Sequence, residues 1–126
     1  MIRSLLVVAI FLPACAVPAV PATGTGKAVA MGAPAAVIEA ALADAAKRSG
    51  LPRAQLTLVS AEGVTWANGG LGCPRKGMQY TDAQVPGYRV KLRVRSEVWD
   101  YHASERGNVQ LCPAGQSQEP APGGRN

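Results

Sequence analysis

Residues 66–80 read Trp-Ala-Asn-Gly-Gly-Leu-Gly-Cys-Pro-Arg-Lys-Gly-Met-Gln-Tyr. So much Gly and Pro excludes a helix or a regular strand. The stretch nevertheless carries a Trp, a Leu, a Cys and a Tyr, residue types that small proteins bury. An irregular segment with that payload has to be tied down. The tie on offer is a disulfide from Cys73 to Cys112.

The case for that bond begins at the N-terminus. Met1-Ile2-Arg3 is a short positive start, residues 4–12 are an apolar run, and Pro13-Ala14-Cys15-Ala16 follows. The run is too short to span a bilayer and has the layout of an export signal. Leu12-Pro13-Ala14-Cys15 resembles a bacterial lipobox, in which the Cys is lipidated and becomes the first mature residue. The competing reading is cleavage after Ala16 by ordinary signal peptidase, with a secreted or periplasmic soluble product. The lipoprotein reading ranks first, with a signal peptide over 1–14 and a membrane-anchored protein of the bacterial cell envelope. Either way Cys15 is absent from the folded core.

The three cysteines of the chain then reduce to one pair in an oxidising compartment. Closing that loop is worth roughly 4 kcal/mol in the chain-entropy model. A metal site from Cys73, Cys112 and His102 lacks the close Cys-x-x-Cys spacing that zinc sites favour. The expectation is a disulfide, with no metal and no cofactor.

The 126 residues leave room for one domain. Residues 15–33 are mostly Ala, Pro, Gly, Val and Thr, with a single Lys27 and no period, which reads as a flexible tether. The domain is expected over 34–113. Pro34 suits the first turn of a helix. Val37, Ile38, Ala41, Leu42 and Ala45 recur at helical spacing and form one apolar stripe, with Glu39 and Asp44 facing away. Lys47 and Arg48 suit the C-terminal end, and Gly50-Leu51-Pro52 stops the helix.

Residues 55–61 and 64–67 read as a hairpin turning at Glu62-Gly63, with Val59 opposite Trp66. The clearest strand is 88–95. Tyr88, Val90, Leu92 and Val94 point one way, and Arg89, Lys91, Arg93 and Arg95 the other. A turn at Ser96-Glu97 brings residues 98–103 back, pairing Val94 with Trp99, Arg93 with Asp100, Leu92 with Tyr101 and Lys91 with His102. Residues 109–112 form a short last strand. Residues 114–126 hold Gly, Pro, Gln and Ser and no reason to fold. The expected fold is α+β: one N-terminal helix on an antiparallel meander of about five strands, the other sheet face in water.

Trp66, Leu71-Gly72-Cys73-Pro74, Gly77-Met78, Tyr80-Thr81, Gly87-Tyr88-Arg89-Val90, Tyr101-His102 and Leu111-Cys112 follow in a recognisable order. The order resembles a family of small exported bacterial proteins and lipoproteins of unassigned function. The chain departs from it at Pro74-Arg75-Lys76-Gly77, where Pro-x-Pro-Gly is expected. The resemblance implies export and the fold, and no activity.

The strongest surface feature is the set of four cations Arg89, Lys91, Arg93 and Arg95. These suit an anionic partner, an envelope protein or an acidic envelope component. The plainer reading is a solvated sheet face that discourages edge association. Nucleic acid is not expected as a partner of an exported, anchored protein. A disulfide-tied loop showing Arg75 and Lys76 is what a protease inhibitor offers a trypsin-like enzyme; the plainer reading is a stapled connection.

His102 and Asp100 share one strand face with no cleft predicted, so His102 is expected to face solvent or to hydrogen-bond locally. No nucleophile, carboxylate pair or phosphate loop supports an enzyme. Trp66, Tyr80, Tyr88, Trp99 and Tyr101 are assigned to the core, and Met78 to gap-filling. The leading expectation is an envelope binding module; the alternative is a protease inhibitor presenting Arg75 or Lys76.

Overall fold

The computed structural model describes residues 32–123. The expected signal peptide, Cys15 and nearly all of the expected tether lie outside the described residues. Helix α1 spans Ala35–Ser49. Four strands follow: β1 Thr57–Trp66, β2 Val85–Val94, β3 Glu97–Ser104 and β4 Val109–Cys112. They form one antiparallel sheet in the order β1-β2-β3-β4. The class is α+β, with the helix on one sheet face and a disulfide from Cys73 to Cys112.

The helix follows its sequence closely. Val37, Ile38, Ala41, Leu42 and Ala45 are its buried residues. They meet Ala61, Val90, Leu92, Val94, Tyr101 and Ala103 from the sheet. Gly50 ends the helix in the left-handed region at φ 71°, its N–H donating to the Ala46 carbonyl at 2.9 Å. Pro34 stands just outside the first turn, where its carbonyl accepts from the Val37 and Ile38 amides. Asp44 does not face away. It accepts a hydrogen bond from the Tyr101 hydroxyl at 2.9 Å and pairs with Arg48.

The expected hairpin at Glu62-Gly63 does not form. β1 runs straight through both residues, which is why the sheet has four strands rather than five. Gly63 lies within the strand rather than at a turn, and the glycine that a close approach demands there is Gly32. Gly32 crosses it so tightly that a Cβ on Gly32 would lie 2.7 Å from the Gly63 nitrogen. The Gly32 amide donates to the Ala61 carbonyl at 3.1 Å, and Ala33 is buried in the core. The folded body therefore takes in Gly32 and Ala33, two residues assigned to the tether.

The β2–β3 register differs from expectation by two residues. Val94 pairs with Glu97, Leu92 with Trp99, Val90 with Tyr101 and Arg89 with His102. The turn apex is Arg95-Ser96, with Arg95 in the left-handed region at φ 57°. A slip of two preserves the pleat, so the paired side chains keep their expected faces; Arg95, at the apex, does not, and bonds the end of α1 instead.

The second sheet face is not left to water. The 66–83 loop covers part of it, and the chain after Cys112 returns across it. The Gln118 amide donates to the Gly72 carbonyl at 2.7 Å and the Ala121 amide to the Thr65 carbonyl at 2.8 Å. Residues 114–123, expected to be disordered, thus form a strap, for which partners distant in the chain supply the acceptors. Residues 124–126 lie outside the described residues.

Candidate functional site

Strands β2 and β3 place Arg89, Asp100 and His102 together on the face away from the helix. Arg89 is 5% exposed and His102 is fully buried. The guanidinium grips Asp100 with two parallel bonds, Nε to Oδ1 at 3.1 Å and Nη2 to Oδ2 at 2.7 Å. Its Nη1 donates to Glu119 Oε2 at 2.8 Å. Ser117 Oγ donates to Asp100 Oδ2 at 2.7 Å and lies 3.1 Å from His102 Nε2. The strap therefore contributes two of the five side chains in this network.

His102 is held from three sides. Nδ1 donates to the Leu71 carbonyl at 2.6 Å, so that nitrogen bears a hydrogen. Nε2 faces Asp100 Oδ1 at 3.2 Å. The ring stacks on Trp66, with centroids 4.3 Å apart and planes inclined by 22°. Trp66 is fully buried and donates from Nε1 to the Ala103 carbonyl at 3.0 Å. The indole reaches β3 by lying across Gly87, where a Cβ would come within 2.9 Å of Nε1. From the other side Gly72 presses on it at φ 67°, a conformation glycine favours, where a Cβ would lie 2.5 Å from the indole.

The electrostatics follow from these contacts. Burial alone pushes the Asp100 carboxyl up, but hydrogen bonds from His102, Arg89 and Ser117 outweigh it and hold the group well below the usual carboxylate range. The same carboxylate, with Glu119, raises Arg89 further above its ordinary value. Among the described residues no buried side-chain nitrogen or oxygen lacks a partner. The network is internally complete.

Ser117, His102 and Asp100 are the residue types of a hydrolytic triad in a different arrangement. A triad carboxylate holds Nδ1 while the serine meets Nε2. Here Asp100 and Ser117 share the Nε2 side, and the serine proton goes to Asp100. The arrangement positions the strap; it does not activate a hydroxyl.

The four expected cations therefore separate. Arg89 is buried and paired with Asp100 and with Glu119 of the strap, apart from the open patch. Arg95 turns away at the hairpin apex, where Nη2 donates to the Ser49 carbonyl at the end of α1 at 3.2 Å. Lys91 is half-buried and Arg93 exposed on the uncovered end of the face, and among the described residues neither enters an ion pair. Arg93 pairs across strands with Val98, which is 48% exposed.

Arg75 and Lys76 are both exposed on the 66–83 loop. The Tyr80 hydroxyl accepts from the Arg75 amide at 2.9 Å, and the Met78 amide donates to the Arg75 carbonyl at 3.1 Å. Lys76 and Gly77 thus form the apex of a closed turn. Met78, assigned to gap-filling, is exposed instead. Among the described residues no cluster of His, Cys, Asp or Glu has the makings of a metal site, and no helix is long and apolar enough to cross a membrane.

His102 was expected to face solvent or to hydrogen-bond locally, and the residues that bury it were missed. Ser117 and Glu119 lie in a segment with no apolar content to suggest packing. The available signal was polar: a hydroxyl and a carboxylate two positions apart, in a chain whose strand β2 alternates the cations Arg89, Lys91 and Arg93.

No curated protein and no solved structure matches the chain. Residues 38–112 match the model of a family described as a domain of unknown function, DUF8738. The matched span runs from α1 to the end of β4 and includes both bonded cysteines, Arg89, Asp100 and His102. More than half of the chain falls within it, and the chain belongs to that family.

Proposed function

We propose that the protein is an exported binding module, lipid-anchored through Cys15, whose open sheet end meets an anionic partner in the bacterial envelope. The observation that carries this reading is the division of the second sheet face. At one end Arg89 is paired with Asp100 and Glu119 beneath the strap. At the other, Arg93 is exposed beside exposed Val98, and among the described residues neither it nor half-buried Lys91 enters a salt bridge. A cationic pair next to an exposed apolar side chain favours an acidic surface with some apolar content.

The test is crosslinking in the producing cell, comparing the wild-type chain with Lys91→Gln/Arg93→Gln. The expected result is loss of the crosslinked partner from the variant, and weakening of wild-type capture as salt is raised. Equal capture by both proteins would end the reading. An inhibitor loop has the exposure of Arg75 and Lys76 in its favour. Its closed turn, however, differs from the extended segment that a protease cleft accepts.

A further inference from the structure

The strap is held in an unusual way for a C-terminal segment. Residues 114–119 bury no apolar side chain. Their contacts are a backbone bond to Gly72, a hydroxyl on Asp100 and His102, and a carboxylate on Arg89. Further on, Ala121 donates to the Thr65 carbonyl of the β1 edge. Backbone groups supply affinity while side-chain pockets select alternate residues, which is how proteins recognise extended peptides at a sheet edge.

The receiving groups all come from the body of the domain. Thr65, Gly72, Arg89, Asp100 and His102 lie within the span that the family model matches, and the strap lies beyond its end at 112. The fit is also incomplete. A cleft of about 260 Å3 stays open between the strap and the sheet, lined by Glu62, Val64, Arg89, Glu119, Pro120 and Ala121 among others. The link to β4 is a short turn, in which the Gln116 amide donates to the Pro113 carbonyl and Gly115 takes φ 79°.

We propose that the groove beneath the strap is a peptide-recognition site, filled in cis by residues 116–121 and built for an extended segment of another protein. Its ligand carries a hydroxyl and a carboxylate two positions apart, in the pattern Ser-x-Glu-Pro. The hydroxyl is read by Asp100 and His102, the carboxylate by Arg89, and the backbone by Gly72 and Thr65. The tethered copy competes at a millimolar effective concentration, so the strap sets the threshold a partner has to exceed. The groove is read by Arg89, Asp100 and His102 and the open end by Lys91 and Arg93, and the two tests use different variants, so either proposal can fail alone.

The test uses the full chain and a labelled synthetic peptide of residues 114–122, Ala-Gly-Gln-Ser-Gln-Glu-Pro-Ala-Pro, followed by fluorescence anisotropy. Ser117→Ala with Glu119→Gln loosens the resident strap without touching the receiving residues. That variant is expected to bind the peptide at least about tenfold more tightly than the wild-type chain does. A peptide carrying the same two substitutions is expected to bind the variant at least about tenfold more weakly. Hydrogen exchange at the Gln118 and Ala121 amides of the variant is expected to accelerate. Retained protection of those amides would overturn the proposal. So would an opened strap with no peptide uptake at about 1 mM, or equal binding by wild type and variant.

Discussion

Asp100 decides the character of the second sheet face. Its carboxylate receives bonds from Arg89 and Ser117 and faces His102 within 3.2 Å. Truncating one member of such a group leaves a buried charge without its counter-charge, a loss that exceeds what the pair contributes as a whole. Asp100→Asn is expected to destabilise the protein by about 3 kcal/mol, measured by urea unfolding near neutral pH. The pH dependence has a definite sign. The folded pKa of Asp100 is depressed, so the unfolded chain takes up this proton first as acid is added. Its contribution is present above about pH 4 and is lost as the pH falls below that towards the folded value. The wild-type chain is therefore expected to lose stability below about pH 4 more steeply than Asp100→Asn does. Parallel curves for the two proteins would remove Asp100 as the titrating group.

At the scale of elements, legibility depended on whether a signal was local. The stripe of α1 and its stop at Gly50 rest on 3.6-residue spacing and one backbone conformation, both carried by neighbouring residues. No heavy atom outside its chain neighbours comes within 4 Å of a Cβ placed on Gly50, so this glycine answers only to its φ of 71°. Gly50→Ala is accordingly expected to cost about 1 kcal/mol, read as a shift in the urea midpoint with an unchanged slope. A negligible effect would show that the helix end relaxes. Gly63 illustrates the opposite case. It looks like a turn glycine, yet it lies inside β1, where the close approach demands glycine at Gly32, over thirty positions earlier in the chain. The β2–β3 register failed for a related reason: Arg95 is a poor guess for a left-handed apex, and only the pairing of the whole strands puts it there. The faces survived because an error of two leaves the pleat unchanged.

Across the whole molecule, the sheet separates two interiors of different chemistry. The helix side is apolar and built from the stripe of α1, the part that periodicity reveals. The other side is a small polar interior of Trp66, His102, Arg89 and Asp100, closed by a glycine-rich loop and a strap without apolar anchors. Neither cover has a period to read; what fixes them is glycine at Gly72 and Gly87, hydrogen bonds over long separations, and one covalent bond. That bond joins Cys73, next to the glycine that presses on Trp66, to Cys112, the residue before the strap departs. Both covers therefore hang from the same point. Cys73→Ser/Cys112→Ser is expected to lower stability by roughly 4 kcal/mol, and the loss is expected to be uneven. Native-state hydrogen exchange should accelerate first at Gly69 and Gln118, whose amides bond Thr81 and Gly72 in the two covers. Amides of β2 facing β3 should exchange only with global unfolding. A variant in which every amide accelerates equally would mean that the two interiors fold as one unit, and that the disulfide acts on the unfolded chain alone.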